Sequence, residues 1–161
     1  MSVLDASALI RFKELVSVSD QWAAFKALEE RVVQGSLALP RRVITEVSGI
    51  AHPDLPGAWA PGVRPLQVHP LDPEWDVVAE VMRQAGDVVD PNKQDEDADP
   101  YVLALGLQLQ REGFVVEIVT DDRIDRTRIA MTTACARLGL TSTSPSEFLA
   151  ACGIKASKVT E

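Results

Sequence analysis

The chain has 161 residues, 46% hydrophobic and 25% charged. That is the balance of one globular domain, able to bury roughly two-thirds of its unfolded surface without a disulfide or structural metal. A net charge of −8 argues against a protein that coats nucleic acid through a broad basic face, yet permits metal-binding acids and a basic protein partner.

Ser2 to Leu4 is a short apolar run ending at Asp5, which predicts a buried strand. Ser7 is the expected cap of the helix that follows, and Asp20 the cap of a second helix carrying Trp22, Phe25, Leu28 and Val32 at helical spacing. Gly35 ends it, Leu37 to Leu39 predicts a second strand, and Pro40 opens a helix containing Glu46. His52 to Pro65 holds four prolines and two glycines and reads as an irregular excursion. A strand over Leu66 to His69 and a helix over Pro73 to Ala85 follow, the helix with Trp75, Val78, Val81 and Met82 on one face. Gly86 to Pro100 is rich in Asp and reads mostly as a solvated loop. Asp99 or Pro100 starts the clearest helix, and Gly113 ends it. Phe114 to Val119 predicts a buried strand, Thr127 to Leu138 a helix, Leu140 to Thr143 a last strand, and Ser144 to Glu147 the start of a final helix. Strands alternating with helices imply a mostly parallel sheet covered on both faces, with sites beyond the carboxyl ends of its strands.

Acids fall at such places: Asp5, Glu46, Asp99, and the pair Asp121 and Asp122. Singly, each has an ordinary explanation as a cap, a turn residue or a solvated side chain. Together they suit a hard divalent cation, which wants several oxygen ligands, lowers the pKa of a bound water and neutralises charge growing on a phosphate. Nothing else in the chain competes. His52 and His69 have no nucleophile pattern beside them and are expected to be structural or surface residues, and neither a GxxxxGK[ST] loop nor a GxGxxG turn occurs. Cys135 and Cys152 lack CxxC spacing and read as small buried residues of a reduced protein. Without a basic, apolar leader or a run of ~18–20 apolar residues, the expected location is cytoplasmic, away from membranes.

The ordered segments VLDASALI, VITEVSGI, DADPYVLALGLQL and VEIVTDDR resemble the four motifs of the PIN-domain family. The third is similar to a PIN-like branch with an ADPxxxA motif, and the resemblance covers the chain from Ser2 to about Leu149. It implies a single domain over residues 1–161, a three-layer α/β/α sandwich with a mostly parallel central sheet. It further implies an Mg²⁺- or Mn²⁺-dependent endoribonuclease, with RNA as substrate. Many small members are toxins of the VapC kind, homodimers paired with an antitoxin protein that inserts into the active site. By this carry-over Asp5, Asp99 and Asp122 hold metal, and Glu46 holds a second metal or orients the attacking water. Ser7, Thr120 and Asp121 support them. The chain is longer than most such toxins at His52 to Pro65 and Gly86 to Asp97. Asp95, Glu96 and Asp97 crowd the third motif, and Asp97 is the substitute for Asp99.

Arg11, Arg41, Arg42, Arg123, Arg126 and Arg128 lie near the motif ends, where phosphates would be met. Trp22 and Trp75 read as core, whereas Trp59 reads as a contact or dimer residue. The competing reading is a PIN-like scaffold that binds without catalysis. A phosphoacceptor domain fits less well, since the acidic pair comes late and no Lys follows until Lys155.

Overall fold

The parallel sheet expected from the apolar runs is present in a computed structural model, which describes residues 1–49, 54–92, 97–121 and 128–157. Its strands are β1 (Ser2–Leu4), β2 (Leu37–Ala38), β3 (Glu117–Val119) and β4 (Thr141–Thr143), in the order β2-β1-β3-β4 and all parallel. The helices are α1 (Ala6–Leu15), α2 (Val18–Gln34), α3 (Arg41–Ser48), α4 (Leu55–Val63), α5 (Trp75–Ala85), α6 (Asp99–Arg111), α7 (Met131–Arg137) and α8 (Pro145–Ala151). Two groups of helices make the outer layers of an α/β/α sandwich. One is α1 to α4 with α8; the other is α5 to α7, where α6 lies directly on β1 and β3. None of the described helices is long and apolar enough to cross a membrane.

Burial explains why such short strands hold. Val3, Leu4, Leu37, Ala38, Ile118 and Val119 are fully buried, as continuously apolar strands covered on both faces should be. The core continues through Leu9 and Phe12 of α1, Leu28 and Val32 of α2, and Leu103, Leu105 and Leu109 of α6. Gly35 closes α2 in the left-handed conformation at φ 77°.

Several boundaries differ from those expected. Asp5, not Ser7, caps α1: its side chain accepts from the Ala8 amide, and Ser7 lies inside the helix. Ser17, not Asp20, precedes α2, and Asp20 sits in its first turn. The proline-rich stretch is only partly irregular. Asp54 accepts from the Gly57 amide and caps α4, with Pro56 in its first turn, where a missing N–H costs nothing. His52, like 50–53 as a whole, lies outside the described residues. No strand forms over Leu66 to His69; the Gln67 side chain instead accepts from the Leu39 amide at the edge beyond β2. Phe114 and Val115 precede β3 and are exposed. The helix expected from Thr127 is seen only as α7, with Thr127 itself outside the described residues.

The tryptophans reverse their expected roles. Trp22 and Trp75 are 77% and 73% exposed. Trp59 packs edge-on against Phe25 and donates its indole N–H to the Phe25 carbonyl at 3.0 Å. Cys135 is buried, while Cys152 is only half-buried. His69 is structural, as expected, held 2.8 Å from the Gly35 carbonyl and edge-on to Phe114.

Candidate active site

The strand order fixes where a site can form. From β1 the chain first crosses to β2 on one side, and later strands lie on the other side. The connections leaving β1 and β3 therefore diverge and open a crevice at their carboxyl ends. A cleft of about 470 Å³ lies there, lined among others by Asp5, Ser7, Glu46, Asp97, Asp99, Thr120, Asp121 and Arg128. Every predicted site residue that is described lines it. Asp122 lies outside the described residues, as do Asp95, Glu96, Arg123 and Arg126.

Asp5 leaves the end of β1 and is 2% exposed. Its Oδ1 accepts from the Ala8 amide at 2.8 Å and from the Ser7 hydroxyl at 2.7 Å. The same hydroxyl accepts from the Asp121 amide at 3.0 Å. Ser7 thus fastens the end of β3 to the acid at the end of β1. Thr120 is buried, and its hydroxyl lies close enough to Asp5 to favour the ionised carboxylate without forming a well-aligned hydrogen bond. Burial outweighs these donors, with Glu46 adding repulsion, and pushes the Asp5 carboxyl up to about 6.

Asp99 and Asp97 divide the work that sequence left ambiguous. Asp97 is buried, and its two oxygens accept from the Asp99 amide at 3.0 Å and the Asp90 amide at 3.2 Å. It therefore latches the loop entering α6. Asp99 is the first residue of that helix, not its cap, so its carboxylate is not committed to the helix end. Burial, then the charges of Asp97 and Asp5, push it up to about 7, against the pull of Arg128. Arg128 reaches Asp99 from the flank of α7, with Nη1 3.2 Å from Oδ2. Glu46 is exposed on α3 at the cleft wall, and its charge is felt by both Asp5 and Asp99.

Seven carboxylates and two guanidiniums line the cleft. This donor set is all oxygen and short of positive charge, which fits Mg²⁺ or Mn²⁺. Among the described residues, no group of three His, Cys, Asp or Glu side chains already surrounds one metal position.

Sequence reasoning missed Ile10, Glu14, Asp90 and Met131 in the cleft wall. Glu14 falls two turns beyond Ser7 on α1, at helical spacing, and that repeat was the one signal available for it. Of the arginines near the motifs, Arg41 pairs with Asp72, Arg42 lies over the Tyr101 ring at 4.8 Å, and Arg11 pairs with Glu14. Compared with protein-family models and with curated proteins, the chain matches none.

Proposed function

We propose that the chain is an Mg²⁺- or Mn²⁺-dependent endoribonuclease of the PIN type. The observation that carries this reading is the meeting of Asp5 and Asp99. They come from a strand end and a helix start, 94 residues apart in sequence by their numbers, yet they line one cleft at the sheet's switch point, and Asp99 feels the charge of Asp5 there. A buried acid and a half-buried one, both with raised pKa values, are unfavourable for a fold unless something cationic uses them.

Asp5 and Asp99 would hold the ion, with Asp122 as the further ligand carried over from the resemblance. A bound divalent cation would supply a water of lowered pKa and neutralise charge on the phosphate. Glu46, exposed at the cleft wall, would orient the attacking water and take its proton. Ser7 keeps Asp5 and the end of β3 in register. A homodimer, and service as a toxin paired with an antitoxin, follow from the resemblance alone; a basic antitoxin segment would suit the acidic cleft.

The test is Mn²⁺ calorimetry on the native chain and on a folded Asp5→Asn, Asp99→Asn double variant, followed by Mn²⁺-dependent RNA cleavage. Binding and cleavage in the native chain, both lost in the variant, support the nuclease. Binding without cleavage of any RNA, or no binding at all, favours a PIN-like binding module.

A further inference from the structure

We propose that the α1 wall of the cleft reads a base: Glu14, flanked by Arg11 and Ile10, selects a guanine of single-stranded RNA beside the phosphate to be cut. This inference rests on the nuclease reading above and adds a sequence preference to it. Its starting point is a carboxylate that stands apart from the proposed metal ligands. Glu14 lines the same cleft as Asp5 and Asp99. On α1, however, it follows Ser7 by seven residues, about 10 Å along the helix axis. Ligands of one Mg²⁺ all lie about 2.1 Å from it, so an ion held at Asp5 leaves Glu14 for another task.

The local geometry says what that task is. Ser7, Ile10, Arg11 and Glu14 fall at i, i+3, i+4 and i+7, so they share one face of α1, and that face lines the cleft. Glu14 Oε2 pairs with Arg11 Nη1, while the two side chains stay 50% and 29% exposed. An exposed pair on one helix adds little to stability. What it does is hold a carboxylate and a guanidinium side by side in the cleft wall. Ile10 beside them is 49% exposed, a large apolar side chain among mostly charged and polar residues.

A carboxylate accepts hydrogen bonds and donates none. It is repelled by the phosphates of an RNA strand and is matched by N–H donors of the bases. Guanine carries two adjacent donors on its Watson–Crick edge, N1–H and the N2 amino group, with the O6 acceptor next to them. The Glu14 oxygens have about four acceptor sites between them, so both can take guanine donors while Oε2 keeps Arg11. Arg11 has further N–H groups in its fork to give to O6. Adenine and cytosine offer a carboxylate one amino group each, and the N3–H of uracil is flanked by two oxygens that repel it. Ile10 gives the flat face of the ring an apolar surface. These edges are open only on unpaired bases, hence a single strand.

The experiment digests a random-sequence RNA pool roughly ten nucleotides long with Mn²⁺ and sequences the product ends. The native chain is compared with Glu14→Gln, Glu14→Ala and Glu29→Gln, each checked for folding by circular dichroism and for Mn²⁺ binding by calorimetry. Native products should carry guanine at one fixed position next to the cut, preferred by about fivefold to 150-fold, the range of one bidentate contact. Glu14→Ala should lose the preference. Glu14→Gln should move it toward adenine, since a carboxamide offers one donor and one acceptor. Both should keep Mn²⁺ binding. Glu29 pairs with Lys26 on α2, outside the cleft lining, and Glu29→Gln should keep the guanine preference, which separates base reading from a general charge effect.

No Mn²⁺-dependent cleavage by the native chain would sink the nuclease reading and this inference together. Cleavage with no base preference, with another base preferred, or with a guanine preference that both Glu14 variants retain would overturn the inference and leave the nuclease standing. Loss of Mn²⁺ binding in folded Glu14→Gln would make Glu14 part of the metal site and overturn it as well.

Discussion

Asp5 serves the fold and the site with different parts of one side chain. Its Oδ1 caps α1 through the Ala8 amide and takes the Ser7 hydroxyl; its charge, buried at the end of β1, is what the proposed cation would use. Asn can keep the acceptor and lose the charge. Asp5→Asn should therefore abolish Mn²⁺ binding while raising the stability of the metal-free protein at pH 8 by about 2 kcal/mol, since a carboxyl held near 6 is charged there at a cost. Urea unfolding in EDTA measures this, and a destabilised variant would show that the charge is compensated in the fold. A parallel contrast separates the two acids of the third motif. Asp97→Ala should lose about 1–2 kcal/mol by freeing the Asp90 and Asp99 amides, with less effect on Mn²⁺ affinity than Asp99→Ala. The spacing of Asp95, Glu96, Asp97 and Asp99 identified the region but not the roles. Which carboxylate is consumed by backbone donors depends on how the loop turns back to Asp90, a non-local fact that spacing does not carry.

At the scale of elements, the sheet was legible because the cores of β1, β2 and β3 are apolar and buried, whereas the edge strand β4 is Thr-Ser-Thr and only partly covered. The helix α4 was not. Four prolines between 53 and 65 suggested an excursion, but one of them, Pro56, sits in the first turn and another, Pro61, is carried within a helix whose position i−4 is Gly57. Helical spacing also named the faces of α2 and α5 without saying which residues on them are covered. Phe25 is covered by Trp59 from α4, and Trp22, one turn earlier, is left outside. The contact between α6 and β3 was invisible in sequence yet sets the position of Asp99. At Gly106 an added Cβ would lie 2.6 Å from Ile118 Cδ1, and Ile118 is fully buried. Gly106→Val should therefore cost about 2–3 kcal/mol despite leaving a more restrained helix, because the buried Ile118 must leave its rotamer or α6 must lift from the sheet. A variant as stable as the native chain would mean that Ile118 repacks freely. If α6 lifts, Mn²⁺ affinity should fall with stability, since Asp99 rides on its first turn.

At the scale of the whole molecule, the site couples folding to pH in a direction opposite to that of most surface carboxylates. Asp5 and Asp99 titrate near 6 and 7 in the folded protein, against about 3.9 for an unfolded aspartate. Between about pH 4 and 7 the native state therefore holds protons that the unfolded state has released. Stability contributed by these two groups must fall as pH rises through that window, and reach its floor once both are ionised in the fold. Below about pH 3 both states are protonated and the contribution is flat. A cation that binds only the folded, ionised cluster reverses the slope, because at higher pH it meets less competition from protons. Thermal unfolding of the native chain and of Asp5→Asn, from pH 5 to 8, with EDTA or with saturating Mn²⁺, separates these contributions from those of the other acids. In EDTA the native chain should lose stability relative to the variant as pH rises. In Mn²⁺ it should gain, with the crossing near the titration of Asp5 and Asp99. Parallel profiles for the two proteins under both conditions would mean that the paired acids carry no strain that a metal relieves, and the argument from their burial to a cation would fail with them.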